Sequence, residues 1–370
     1  MSSAKGSAVA SKSKTLTFEG TSSFRQRIVF SVLSGRPVRF VKIRPDADSP
    51  GLTDYEVTFL RLIDTITNGT HISINETGTA AYLRPGTITN GRKLQFDCGS
   101  SRAIGYYLEF LLCLAPFGKA PLHIFLSGIT NDNQDPSVDI IRTVGLPVLK
   151  RFGVEDGLEL KVIRRGLRPN GGGEIMFQCP HVRQIKPVRC VELGKIKRIR
   201  GLVYTTRVAP STGHRVVDAC RGVLNKFIPD VYLYTDHYSG AEAGKSPGYG
   251  ISLVAETSDK CNLSMELAAD KGQLPEDLGT QAAHLLFEEI ARGGCFDTFS
   301  QTIVFTLMAL GPEDVSKVRV GKLSPFSIQL LRDLRSFFQL TFKLKPEAAT
   351  KTLLVSGMGV GYTNIHKKLQ

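Results

Sequence analysis

No stretch of this 370-residue chain approaches the roughly 18–20 consecutive apolar residues needed to cross a bilayer as a helix. A membrane-spanning helix is therefore excluded, and no membrane partner is expected. The start, MSSAKGSAVASKSK, lacks an apolar h-region, so no secretory signal is expected. No CxxC or HxxxH pair occurs, the seven cysteines are odd in number, and Cys179 and Cys190 are the nearest two in sequence. That spacing speaks against a structural zinc site; reduced thiols, no metal and no cofactor are expected. Acidic residues are in deficit: 34 Asp and Glu against 47 Lys and Arg leave a net charge of +13. Such a balance points to an anionic partner, nucleic acid first. With 42% hydrophobic and 22% charged residues the chain is neither disordered nor collagen-like, and its length suits two domains or one large body with an insertion.

Residues 1–14 hold almost no apolar side chains and read as a disordered basic tail. From Thr15 the pattern is mixed α/β. Ile28, Val29, Val32 and Leu33 repeat at helical spacing before Gly35-Arg36-Pro37, and Val38–Ile43 alternates as a strand. Asp54–Thr67 is an amphipathic helix, followed by short strands at His71–Asn75 and Ala80–Arg84. A second round follows: an apolar helix at Tyr106–Leu114, a strand at Leu122–Ser127, a helix over Pro136–Phe152 that Pro147 should break, and a strand at Leu158–Ile163. Leu83-Arg84-Pro85-Gly86 and Leu167-Arg168-Pro169-Asn170-Gly171 close the two rounds at equivalent places, which predicts an internal repeat. Residues 185–274 differ: Lys186, Arg189, Lys195, Lys197, Arg198 and Arg200 face Glu192 alone, and the segment reads as a separate α/β module. Leu278–Ala291, Gln301–Leu310 and Phe326–Phe338 are then helices of a third round.

The motifs carry little chemistry by themselves. Gly240-Ala-Glu-Ala-Gly244-Lys245-Ser246 has one residue too few for a phosphate-binding P-loop, and Pro247 follows where a helix must begin. It reads as a glycine turn. Gly171-Gly172-Gly173 lacks the spacing of a dinucleotide loop and leads into a strand, so a tight turn is expected. Arg332, Asp333 and Arg335 lie together on the last helix; they form either a surface ion-pair set or a weak nuclease signal, with Asp333 as base or metal ligand and the arginines steadying phosphate charge.

Several strings taken together resemble the RNA 3′-terminal phosphate cyclase superfamily, from about Leu16 to Tyr362. They are Phe24-Arg25-Gln26-Arg27, Ser34-Gly35-Arg36-Pro37, Pro50-Gly51-Leu52, Leu83-Arg84-Pro85-Gly86-Thr87, Ser127-Gly128-Ile129-Thr130-Asn131 and, most specific, Arg165-Gly166-Leu167-Arg168-Pro169-Asn170-Gly171-Gly172-Gly173-Glu174. The resemblance implies an α/β (α+β) fold. Three repeated units, each of two helices on a four-stranded sheet, would occupy 15–184 and 275–370, with a smaller α/β insert at 185–274. It also implies an adenylylated histidine just before the last large helix. Here that stretch is Ser324-Pro325-Phe326-Ser327-Ile328, and no histidine occurs between His284 and His366. A phenyl ring has no lone pair with which to attack phosphorus, so the covalent step is closed. Ser300-Gln301 replaces an Asp-Gln pair, and the glycines of the loop before Arg25 are largely lost. Arg25, Ser300, Gln301 and Phe326 are thus the expected remains of the pocket, and Arg25, Arg44, Arg84 and Arg102 are candidates to hold a phosphate. A cyclase fold without its nucleophile resembles the family's eukaryotic nucleolar, cyclase-like branch. That implies a protein of nucleus and nucleolus, working in the small-subunit processome on pre-rRNA. Its implied partners are a ribosome-biogenesis GTPase and a small nucleolar ribonucleoprotein. The alternatives are an endoribonuclease using Arg332, Asp333 and Arg335, and a working ATP-dependent cyclase.

Overall fold

A computed structural model describes residues 14–91 and 93–367. The basic tail expected at 1–14 lies, but for Lys14, outside the described residues. One order of elements occurs three times: strand, helix, strand, helix, strand, strand. The first unit runs β1 (Leu16–Glu19), α1 (Phe24–Ser34), β2 (Val38–Val41), α2 (Asp54–Ile66), β3 (Thr67–Asn68), β4 (His71–Ile74), β5 (Ala81–Arg84) and β6 (Thr87–Ile88). The short β3 and β6 pair only with each other. The second runs β7 (Lys93–Asp97), α3 (Ile104–Leu114), β8 (Leu122–Gly128), α4 (Val138–Ile140), α5 (Leu146–Arg151), β9 (Glu159–Arg164) and β10 (Gly173–Cys179). The third opens with β11 (Arg189–Cys190) and is interrupted by β12 (Ile196–Thr206), α6 (Pro210–Leu224), β13 (Val231–Tyr238), β14 (Gly248–Thr257), β15 (Asn262–Ala268) and α7 (Pro275–Arg292). It resumes with α8 (Ser300–Leu310), β16 (Val315–Val320), α9 (Pro325–Phe338), β17 (Lys343–Glu347) and β18 (Thr352–Met358).

The three repeated sheets share one topology: β1-β2-β5-β4, β7-β8-β10-β9 and β11-β16-β18-β17. In each, the first two strands are parallel and the rest antiparallel. A parallel pair needs a crossover, and α1, α3 and α8 supply it. These three helices sit at the centre. Every residue of α3 and α8 is buried, and so is nearly all of α1. A helix that is apolar all round has no face to offer water, so Ile104–Leu114 and Ser300–Leu310 go inside while amphipathic α2 and α9 keep an outer face.

Pro147 acts as expected but without a sharp break. Residues Ile141–Gly145 widen into a π turn between α4 and α5, which relieves the clash of the proline ring with the preceding turn. The insert has its own sheet, β13-β12-β14-β15, and its own core around Ile199, Val203, Ile251 and Leu253. Two placements differ from the sequence reading. β11, inside the range expected for the insert, pairs with β16 of the third unit. α7, expected in the core, packs on α6, because Leu278, Ala282 and Leu286 belong to the insert's apolar cluster. The strand β12 was hidden behind its charges: Ile199, Gly201 and Val203 alternate inward between Arg198, Arg200 and Leu202.

The string 165–174 joins the second unit to the insert. Arg165 is fully buried; Nη1 donates to Asp139 Oδ2 at 2.6 Å and to Asn131 Oδ1 at 2.7 Å, and Nη2 donates to Asp139 Oδ1 at 3.1 Å. Its guanidinium lies 4.6 Å from the Tyr204 ring centre and 5.0 Å from that of Tyr238, both in the insert. Burial by itself would raise the Asp139 pKa; the Arg165 charge, the hydrogen bonds from Arg165 and Asn131 and the Arg142 charge together outweigh it and hold the carboxylate below its ordinary range. The two glycine-rich strings, neither a nucleotide loop, dock on each other: Gly244 N–H donates to Arg165 O at 2.6 Å and Lys245 N–H to Gly171 O at 2.9 Å. A Cβ on Gly244 would stand 2.5 Å from Gly171 O and 2.6 Å from Gly166 Cα, both backbone. Arg165→Ala, which leaves buried Asp139 with only Asn131 and the partly exposed Arg142, should lower stability by about 3–5 kcal/mol, read as a fall in the urea midpoint of the full chain.

Candidate functional site

The N-terminal turn of α1 faces the first turns of α3 and α9. Arg25 crosses from α1 to α3, donating to Tyr106 O at 2.5 Å and Glu109 Oε2 at 3.3 Å, with its guanidinium 3.9 Å above the Tyr106 ring. Two adjoining cavities open here, and both are lined by Arg25 and Phe326. The smaller, about 230 Å³, is walled by Thr21, Ser23, Arg44, Tyr55, Glu56, Arg102 and Tyr106. The larger, about 530 Å³, lies where all four parts of the molecule meet. It is lined by Asp132, Asn133 and Asp135 of the second unit, Met265 and Glu266 of the insert, and Thr298, Thr302 and Ser324 of the third.

Their charges differ. The smaller cavity holds Arg25, Arg44 and Arg102 against Glu56, and the larger holds Arg25 against Glu109, Asp132, Asp135 and Glu266. Each arginine already has a carboxylate. Arg44 Nη2 bonds Glu56, with Nη1 2.7 Å from Thr21 Oγ1; Arg102 Nε donates to Asp135 Oδ2 at 2.8 Å; Arg25 pairs with Glu109. Burial raises the Glu109 carboxyl, with the Arg25 charge opposing. Among the described residues Glu266 has no cation paired with it. Its Oε1 accepts from Ser137 N–H at 2.8 Å, its Oε2 has no partner, and burial pushes its carboxyl up to about 8.

Of the residues singled out from sequence, Arg25, Arg44, Arg102 and Phe326 come together. Arg84 does not. In the β2–β5 ladder Phe40 pairs with Ala81 and Val38 with Leu83, so Arg84 extends beyond the start of β2 while Arg44 follows its end. Ser300 and Gln301 are buried behind the groove rather than lining it. Ser300 N–H donates to Asp297 Oδ1 at 2.8 Å, and Gln301 Oε1 accepts from Ser327 Oγ at 2.8 Å, holding the turn that carries Phe326. None of the seven histidines lines either cavity. Glu109, Asp132, Asp135 and Glu266 were missed. The run Asn131-Asp-Asn-Gln-Asp135 between a strand and a helix was a visible signal, but Glu266 carries none because it reaches the groove only through the insert.

Arg332, Asp333 and Arg335 do not point to one place. Asp333 is buried against α1 and accepts from Arg27 Nε at 3.2 Å and Gln329 Nε2 at 3.1 Å, whereas Arg332 and Arg335 face outward. The pair is therefore neither a surface ion pair nor an accessible base: one helical turn cannot aim successive positions the same way. Asp333→Ala should lower stability by about 3–5 kcal/mol, because it leaves Arg27 buried and uncompensated. Arg335→Ala should stay within about 0.5 kcal/mol. Chemical denaturation of both variants checks this.

Glu266 gives a pH signature. Its folded pKa lies above the ordinary 4.5, so its contribution is complete below about pH 4.5 and is lost as pH rises through about 8. Glu266→Gln keeps an oxygen acceptor for Ser137. The melting temperature of the native chain should fall relative to that variant between pH 5 and 8, tracked by calorimetry across about three pH units.

Against known proteins, the family described as RNA 3′-terminal phosphate cyclase matches residues 16–344. The RNA 3′-terminal phosphate cyclase-like protein of Bos taurus is 51% identical over 374 residues, covering 98% of this chain and 100% of its own. The Homo sapiens protein of the same name is 50% identical, with the same coverage. The rRNA processing protein rcl1 of Schizosaccharomyces pombe is 43% identical over 95% of this chain and 98% of its own. Among solved structures, an EPSP synthase from Acinetobacter baumannii covers 95% of this chain and 66% of its own at 10% identity and a TM-score of 0.30, too low to carry an argument.

Proposed function

The chain belongs to the RNA 3′-terminal phosphate cyclase family, alongside its cyclase-like members, and from that premise we propose that it is a non-catalytic assembly factor in small ribosomal subunit biogenesis. In this reading it supports early pre-rRNA processing towards 18S rRNA within the processome. It works in the nucleolus and binds a ribosome-biogenesis GTPase together with pre-rRNA. One observation supports the reading: the half-exposed ring of Phe326, at the position where the family resemblance calls for an adenylylated histidine, stands at the mouth of the groove. The arginines beside it are engaged by buried carboxylates, which suits holding a partner better than transferring a nucleotide.

The excess positive charge supports an RNA contact, and the insert offers a place for it. Tyr232 and Tyr234 on the edge strand β13 are exposed, with ring centres 4.4 Å apart; exposed Lys195 and Lys197 lie at the start of the neighbouring β12, whose Arg198 and Arg200 pair with Glu256 and Asp230. Exposed aromatic rings beside cations suit single-stranded bases, which stack while phosphates are neutralised. No observation favours the nuclease alternative, since Asp333 is enclosed.

The expected result with a pre-rRNA fragment is binding that weakens steeply with salt and drops about tenfold or more in a Tyr232→Ala, Tyr234→Ala double variant, by fluorescence anisotropy. With labelled ATP, no nucleotide should remain on the denatured polypeptide. A phosphoramidate-linked adenylate, or absence of both pre-rRNA and GTPase binding, would overturn the proposal.

A further inference from the structure

Three cysteines far apart in sequence meet at the seam where the insert leaves and rejoins the third unit. Cys190 ends β11, Cys261 sits in the turn between β14 and β15, and Cys295 follows α7, its N–H donating to Arg319 O at 2.8 Å. All three are buried, and their sulfurs lie within 4.8 Å of one another; Cys190 Sγ and Cys261 Sγ are 3.8 Å apart. Two sulfurs on one tetrahedral zinc with bonds of about 2.3 Å stand about 3.8 Å apart. The Glu192 carbonyl oxygen is 3.7 Å from Cys261 Sγ, against about 3.6 Å for an oxygen and a sulfur sharing such an ion. Arg151, from the end of α5, places Nη1 3.3 Å from Cys190 Sγ and donates through Nη2 to Lys260 O. Three thiolates on a divalent ion leave one negative charge, and this guanidinium supplies the single positive charge that burial then requires.

We propose that Cys190, Cys261 and Cys295 form a structural zinc site that pins the insert to the third unit. The Glu192 carbonyl or a water completes the coordination, and Arg151 balances the charge. Soft thiolates select zinc or copper(I) over magnesium and calcium, and the charge count favours zinc. Each thiol gives up its proton as it binds, so no oxidant or reductant takes part. The site bridges three elements that sequence spacing keeps apart: positions 190 and 295 flank the insert, and 261 lies within it.

The test uses the full-length chain, stripped of metal under reducing conditions and titrated with Co²⁺, then with Zn²⁺. One equivalent of Co²⁺ should give thiolate-to-cobalt charge-transfer absorption that Zn²⁺ abolishes, and Zn²⁺ should raise the melting temperature. Cys190→Ser and Cys295→Ser should each weaken zinc binding more than tenfold, Arg151→Met about tenfold, and Cys179→Ala not at all. Because a serine variant can misfold, the titration of the native chain decides. Absence of the cobalt–thiolate band from a folded chain would overturn the proposal. So would a band that survives both serine variants in folded protein, tight loading by Cu⁺ but not Zn²⁺, or isolation of the metal-free chain with a Cys190–Cys261 disulfide.

Discussion

A guanidinium withdrawn from water must bring its counter-charge with it, and this requirement governs how the parts of the molecule are joined. Arg25 of the first unit meets Glu109 of the second, and Arg27 of the first meets Asp333 of the third. Arg165 of the second unit holds Asp139 and lies against Tyr204 and Tyr238 of the insert. Apolar burial drives the central helices together without choosing between similar arrangements. Three repeats of one topology invite such ambiguity. A charge buried on one unit and matched only on another removes it, since every mispaired arrangement strands an ion in a low-dielectric interior.

The same rule shapes the groove. Arg25, Arg44 and Arg102 are each engaged by a buried carboxylate. The insert then adds Glu266, a carboxyl held largely neutral by burial. The groove is thus a junction between three units and an insert, with its arginines paired to carboxylates and an apolar ring at its mouth. In the proposed non-catalytic reading, side chains that could meet a substrate are instead engaged by their neighbours.

Much of the architecture was legible. The centre is made of helices apolar all round, visible in Tyr106–Leu114 and Gln301–Leu310, and the repeat shows in the recurring Leu-Arg-Pro turns. The family resemblance holds over nearly the whole chain. Less was legible where charge masked periodicity. β12 reads as a basic run because only one of its faces is buried, and α7 is amphipathic in a way that suits either core. In the groove, Phe326 and three of the four arginines could be anticipated, because their motifs sit at strand and helix ends that converge. Arg84 misled because its motif turns at the opposite end of the strand pair.

Sequence alone settled the local properties. These are the element types, the repeat, the absence of a histidine between residues 284 and 366, and the positive balance, each set by residue identity and near-neighbour spacing. Tertiary structure decided everything that depends on which distant charges and thiols become neighbours. Asp333 faces inward to Arg27 and not outward to a substrate, Glu266 enters the groove from the insert, and Cys190, Cys261 and Cys295 share one pocket. The reason is physical. Hydrophobic periodicity reports which face of an element is buried, but the energy of a charge or a thiol depends on the particular group packed against it, and that is known only once the chain has closed.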